Sequence, residues 1–286
     1  MILITGATGH LGSATIEHLL KSTETNNIVA FARDENKAKY LKEKGIEVRI
    51  GTFDDTSSLD KAMQGIDKVL LISGADQNRL QQHKNVVDAA KKAGVKHIVY
   101  TGVSLKDVKT SAIKSFMESH FQTEDYVKES GMANTILRHN LYADGIPLFV
   151  GEKVLETGIY LPSANGKVPY ALRREMGEAA ANVLLQSGHE NKTYEIAGNE
   201  LYSYNDVAKI LSELSGKSVT YTDIEASVFT EQLKQIGVPE IGIFIATGFS
   251  ADIKNGQYEI VTNDLEKLLG RKPTNLKDSL KEIYKL

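Results

Sequence analysis

The sequence predicts an α/β fold: a doubly wound parallel sheet with a smaller α/β lobe toward the C-terminus. Three observations predict it. Short apolar runs alternate with segments of helical period through the first half of the chain, and glycine closes most of those segments. A glycine-rich turn, Thr5-Gly6-Ala7-Thr8-Gly9-His10-Leu11-Gly12, joins the first apolar run to the first helical segment. In a strand–turn–helix unit of the Rossmann type, the first glycine permits the tight turn. The second lets the backbone approach a pyrophosphate, and the third lets helix and sheet pack closely. The helix N-terminus then offers unpaired N–H groups and a positive dipole end to phosphate. Gly6, Ala7, Thr8, Gly9, His10 and Leu11 are therefore candidates to hold a dinucleotide. The spacing is GxxGxxG rather than GxGxxG, so the argument rests on the flanking strand and helix.

In chain order, Ile2-Leu3-Ile4 is the first strand, and Leu11, Ala14, Thr15, His18 and Leu19 line one face of the first helix. A polar turn over 22–27 leads to strand two, Ile28 to Ala32. A helix over 35–44 ends at Gly45 as a C-cap. Strand three covers 46–50, and Asp55-Thr56-Ser57-Ser58 opens a helix ending near Gly65. Lys68 to Ser73 is a nearly continuous apolar run, as expected of a strand buried on both faces. A long helix over 78–93 stops at Gly94, strand five is His97 to Thr101, a second long helix spans 111–130, and strand six is Asn134 to Arg138. The rhythm breaks there. Residues 139–170 carry three of the five prolines and predict loops and short strands. A packing helix over 175–186 and a strand over 192–197 return to the main sheet. Beyond them come a helix (203–214), a strand (218–222) and further helices. The predicted division is a dinucleotide domain, 1–138 plus 171–198, and a smaller lobe on the substrate side, 139–170 plus 199–286. The cleft between them lies at the carboxyl ends of the strands, where such sheets bind ligands.

Composition narrows the function classes. Hydrophobic residues make up 41% and charged residues 25% of 286, with a net charge of −3 from 34 basic and 37 acidic side chains. No basic footprint for nucleic acid or an anionic membrane is present. There is no cysteine, which excludes disulfides, thiolate metal sites and a cysteine nucleophile. No apolar run approaches the ~18 residues of a membrane span, and the N-terminus lacks a signal-peptide pattern. The expected location is cytoplasmic. The seven histidines show no metal-binding spacing such as HExxH, and no Gly-x-Ser-x-Gly elbow supports serine hydrolysis. His83, near Leu80, Val86 and Val87, is expected to be a packing histidine.

The position about 20 residues beyond the glycines selects the cofactor, an acid there binding the ribose 2′-hydroxyl of NAD. Here it falls on Ala32, followed by Arg33. Alanine cannot grip that hydroxyl, whereas arginine neutralises a 2′-phosphate with bidentate geometry. Lys37 adds a second charge, so NADPH is expected over NADH. Asp34 is the one nearby acid that would favour NADH if it turned inward.

Several further stretches carry a resemblance. These are Phe31-Ala32-Arg33-Asp34, Gly65 to Ser73, Ala89 to Thr101, Leu137 to Tyr142 and Gly188 to Tyr194. With the glycine turn they make the chain similar to the atypical short-chain dehydrogenase/reductases, in particular the NmrA-like group with its bacterial quinone oxidoreductases and triphenylmethane-dye reductases. The resemblance implies hydride transfer from NADPH to a flat, electron-poor acceptor. It also implies that Gly6 to Leu11, Arg33, Phe53 and Ile72-Ser73-Gly74 touch the cofactor, with Thr101 in the same set.

One departure bears on mechanism. The wider family uses a Tyr-x-x-x-Lys dyad in which lysine lowers the tyrosine pKa. The matching positions here are Phe116 and His120. Phenylalanine has no proton to give, which disfavours sugar-nucleotide epimerase chemistry. His120 is the candidate proton donor or ribose contact, since histidine titrates near neutrality; the competing reading is a polar residue on a half-buried helix face. His139, Asn140, Tyr142 and Phe149 are expected at the mouth of the cleft, with Tyr142 and Phe149 able to stack on an aromatic acceptor. The missing dyad also keeps open a non-catalytic reading, an NAD(P)-binding redox sensor.

Overall fold

The computed structural model describes residues 1–286. Its first strands and helices are β1 (Ile2–Ile4), α1 (His10–Leu19), β2 (Ile28–Ala32), α2 (Lys39–Glu43), β3 (Glu47–Ile50), α3 (Thr56–Ala62) and β4 (Lys68–Ile72). They continue with α4 (Arg79–Lys92), β5 (His97–Val103), α5 (Lys114–Glu129) and β6 (Ala133–His139). The strands pair in parallel in the order β3-β2-β1-β4-β5-β6-β8, where β8 is Lys192–Ile196, so the order reverses between β1 and β4. That reversal is where a doubly wound sheet opens a crevice.

The period of two in the strands sorts the core. Leu3, Val29, Phe31, Val69, Leu71, Ile98, Tyr100 and Ile136 face α3, α4 and α5. Ile4, Ile28, Ala30, Leu70, Val99 and Leu137 face the opposite layer of α1 and α8 (Arg173–Leu185). Helices α1 and α8 run side by side, with His18 Nε2 3.2 Å from Asn182 Oδ1. Buried Glu175 of α8 accepts from Arg271 Nη1 at 2.6 Å and from the Thr274 amide at 3.0 and 3.1 Å, drawing the late chain under the same face.

A third core cluster takes residues from the C-terminal end of β5, from the start of α5, from 143–172 and from the last third of the chain. Residues 139–170 were expected to be loops and short strands. Instead they include two short helices, α6 (Ile146–Val150) and α7 (Val154–Thr157), and one strand, β7 (Ile159–Tyr160). Strand β7 pairs in parallel with β9 (Tyr221–Thr222) as a separate two-stranded sheet. Around them lie α9 (Tyr204–Ser215), α10 (Ala226–Gln235), α11 (Glu240–Lys254), α12 (Asp264–Leu269) and α13 (Leu276–Tyr284). The helix expected over 35–44 is helical only from Lys39. Asp34 Oδ1 accepts from the amides of Asn36 and Lys37 and holds the preceding residues in turns. His139, expected beyond the sheet, is the last residue of β6 and pairs with Ile196. No helix is long and apolar enough to cross a membrane.

Candidate cofactor site at the strand-order reversal

Gly6 leaves β1 at φ +58°, a left-handed turn, and its carbonyl accepts from the Gly9 amide at 2.9 Å. A Cβ on Gly12 would stand 2.3 Å from the Gly6 carbonyl oxygen, so α1 can cross this close to the turn only with glycine there. Gly9 caps α1 with extended backbone and no side-chain hydrogen bond, and no acid lies in the first turn. The helix end therefore keeps unpaired donors and an uncompensated positive dipole. Thr5 ties the turn to β4: its Oγ1 donates to the Leu70 carbonyl and accepts from the Ile72 amide.

A cavity of about 970 Å³ opens over this turn. Of the residues expected to touch a cofactor, Gly6, Thr8, Gly9, Arg33, Lys37, Phe53, Ile72, Ser73 and Gly74 line it. Ala7 and Leu11 do not, because both are buried in the core beneath α1. His10 is exposed at the start of α1, outside the lining. Thr101 is buried behind the wall, its Oγ1 accepting from the Ser73 amide at 3.0 Å and so fixing the end of β4. At the β2 end, Arg33 and Lys37 are exposed and neither makes an ion pair within 4.0 Å. Asp34 lines the same wall but gives Oδ1 to its own turn. Phe53 stacks on Phe31 with ring centroids 6.1 Å apart. Asp54 and Gln82, joined by a 2.9 Å hydrogen bond, complete that side. Sequence reasoning did not find these two: α3 and α4 bring them together, and neither belongs to a motif.

None of the residues expected at an acceptor lines this cavity. Asn140 is buried, its Nδ2 donating to the Tyr258 carbonyl at 3.0 Å and to Ser104 Oγ, and its Oδ1 accepting from the Leu141 amide. His139 is buried with Nδ1 3.4 Å from the Tyr142 hydroxyl and Nε2 without a partner; burial, then the Arg173 charge, lowers its pKa to about 3. Arg173, paired with Asp144 at 2.9 Å, stacks on the Tyr142 ring. Phe149 meets Phe249 edge to face, and Phe249 stacks on Tyr258.

His120 is also buried. Its Nδ1 lies 3.0 Å from the Tyr100 hydroxyl, and burial, then the Arg79 charge, holds its pKa well below 6.5. Titration near neutrality, the reason for choosing it as a proton donor, does not hold: the imidazole is neutral at physiological pH. His83 is the packing histidine expected, with Nδ1 3.0 Å from Thr123 Oγ1.

The cavity combines a glycine turn at a free helix end, an aromatic wall and two cations without a carboxylate partner, features that suit a dinucleotide. The chain belongs to the NmrA-like family, whose model matches residues 1–283. It is 37% identical to quinone oxidoreductase 2 of Escherichia coli over 287 residues, 99% of each chain. It superimposes on the NADPH complex of an E. coli NADPH-dependent quinone oxidoreductase with a TM-score of 0.93, at 35% identity, covering 99% of this chain and 100% of that one. The NADP(H) complex of Citrobacter triphenylmethane reductase gives a TM-score of 0.92 at 38% identity, again over 99% and 100%.

Proposed function

We propose that this chain is an NADPH-dependent reductase of the cytoplasm that passes hydride to a quinone or similar planar acceptor. The observation that carries this reading is the cavity itself, which runs from the α1 turn to Arg33 and Lys37. Both cations lack a carboxylate partner, and Asp34, the acid next to Arg33, is engaged with its own backbone. An unpaired arginine suits the extra phosphate of NADPH. The full-length likeness to a quinone oxidoreductase and a triphenylmethane reductase supports the acceptor class.

When bound, NADPH supplies the hydride; the protein binds, orients and excludes water. Gly6, Thr8 and Gly9 would present the α1 end to the pyrophosphate, Arg33 and Lys37 would hold the 2′-phosphate, and Phe53 would add an aromatic wall to the nucleotide. The end of β4, pinned by Thr5 and Thr101, would bound the cofactor on that side. Residues 139–170 plus 199–286 form the acceptor side of the cleft in this reading, with Tyr142 and Phe149 its candidate aromatic contacts. Neutral His120 serves as a hydrogen-bonding group rather than a proton source. A reduced quinone takes its proton from water, so positioning supplies most of the rate.

The test is loss of NADPH absorbance with a panel of benzoquinones, naphthoquinones and triphenylmethane dyes. Turnover with several of them is expected. Tight NADP⁺ binding without turnover would instead favour a sensor, and sugar-nucleotide turnover an epimerase.

A further inference from the structure

Arg79 opens α4 at the carboxyl edge of the sheet and is only 3% exposed. Its Nη1 donates to the Gly74 carbonyl at 3.0 Å. Nε and Nη2 donate to Ser119 Oγ at 2.9 and 2.7 Å, and Nη2 also donates to the Phe116 carbonyl. The guanidinium carbon lies 4.8 Å from the Phe116 ring centroid. All of these partners are neutral. By contrast, Arg49, Arg138, Arg173, Arg174 and Arg271 each pair with a carboxylate. Arg33, the other arginine without one, is exposed. A guanidinium stays protonated in proteins, so Arg79 is a buried charge without a counter-ion, an arrangement that is costly to maintain.

Its surroundings say what that charge can act on. Gly74 lines the cofactor cavity, so the hydrogen bond to its carbonyl reaches the wall directly. Phe116, on the first turn of α5, takes the guanidinium on its ring and its carbonyl, and His120 lies one turn further along. His120 is neutral, which leaves Arg79, reaching across from α4, as the positive charge of this corner.

We propose that Arg79 is the fixed positive charge of the hydride-transfer site, a positioning residue that holds the Gly74 wall and stabilises the anion an electron-poor acceptor becomes on receiving hydride. This rests on the reductase reading above. In the step, a hydrogen with two electrons leaves NADPH, which is oxidised to NADP⁺. The quinone is reduced to the hydroquinone monoanion, and a proton from water completes the hydroquinone. A preorganised cation in a low-dielectric corner favours that anion without solvent reorganisation.

The test uses R79K, which keeps the charge, and R79M and R79Q, which remove it; R79Q retains hydrogen bonds if R79M folds poorly. Single-turnover hydride transfer to substituted benzoquinones should fall roughly 10- to 100-fold in the neutral variants and recover in R79K. NADPH affinity, followed by fluorescence, should weaken by less than hydride transfer falls, since no phosphate contact is removed while the Gly74 wall loses one hydrogen bond. A second readout needs no turnover: the ionisation of para-nitrophenol bound to the NADP⁺ complex. The phenolate should be favoured by the parent and R79K and not by R79M or R79Q. If para-nitrophenol does not bind, or ionises equally in parent and R79Q, the inference is overturned. A parent that fails to oxidise NADPH with any acceptor of the panel removes the reductase reading, and the phenolate comparison still judges the charge.

Discussion

Arg33 and Asp34 are adjacent, yet one was legible from the sequence and the other was not. The arginine follows from counting beyond the glycines, and it lines the cavity without an ion pair. Whether Asp34 would compete depended on where its carboxylate pointed, and its Oδ1 is held by the amides of Asn36 and Lys37. Arg33→Asp replaces the phosphate partner with a repelling charge and offers an acceptor to a 2′-hydroxyl. Steady-state kinetics with both cofactors should show the NADPH:NADH ratio of kcat/KM falling by roughly two orders of magnitude; an unchanged ratio would remove Arg33 from the site. His120 shows the opposite case. Its type suggested a proton donor, but the donor needs a charged form that burial, and then the Arg79 charge, disfavours. Arg79 had no sequence signal, because nothing local says that a helix-opening arginine is buried.

Elements were legible where one local rule governed them. Every strand of the main sheet was expected in place, give or take its ends; the central ones are the continuous apolar runs that burial on both faces needs, whereas the edge strands β3 and β8 are mixed in polarity and partly exposed. The segment 139–170 was not, because its short helices are too short to stand alone and are held by tertiary packing. The junction of α11 with the start of α5 is of the same kind. Asp252, fully buried, accepts from Ser111 Oγ at 2.5 Å and from the Ala112 amide at 2.7 Å, across about half the chain. Asp252→Ala strands the buried Ser111 hydroxyl and removes the partner of the Ala112 amide. Urea unfolding should show a loss of about 2 kcal/mol, with Asp252→Asn recovering part of it. A variant as stable as the parent would show that this joint carries no load.

At the scale of the molecule, several histidines are enclosed as neutral groups. Burial, then the Arg79 charge, brings His83 down to about 3; burial, then the Arg173 charge, brings His139 to about 3. His97 and His120 are lowered as well, chiefly by burial. A lowered histidine pKa means the unfolded chain binds the proton first. The stabilisation is fully present above the ordinary value of about 6.5 and is lost as pH falls toward about 3. His83 and His139 should each remove about 1.4 kcal/mol of stability per pH unit within that window. Circular dichroism and urea titrations from pH 7 to 4 should show this decline, and a flat profile would contradict the enclosed, neutral histidines.

The sequence by itself determined the parallel sheet, the glycine turn and the charge that follows β2. Each rests on neighbours within a few residues: an apolar run, a left-handed glycine, an arginine one step past a strand. Tertiary structure decided which side chains reach the cavity, that Asn140 and Thr101 spend their hydrogen bonds on the fold, that His120 is uncharged, and that Arg79 is an enclosed cation. Burial and partner choice arise from elements far apart in the chain, and those two quantities set the charge of an ionisable group.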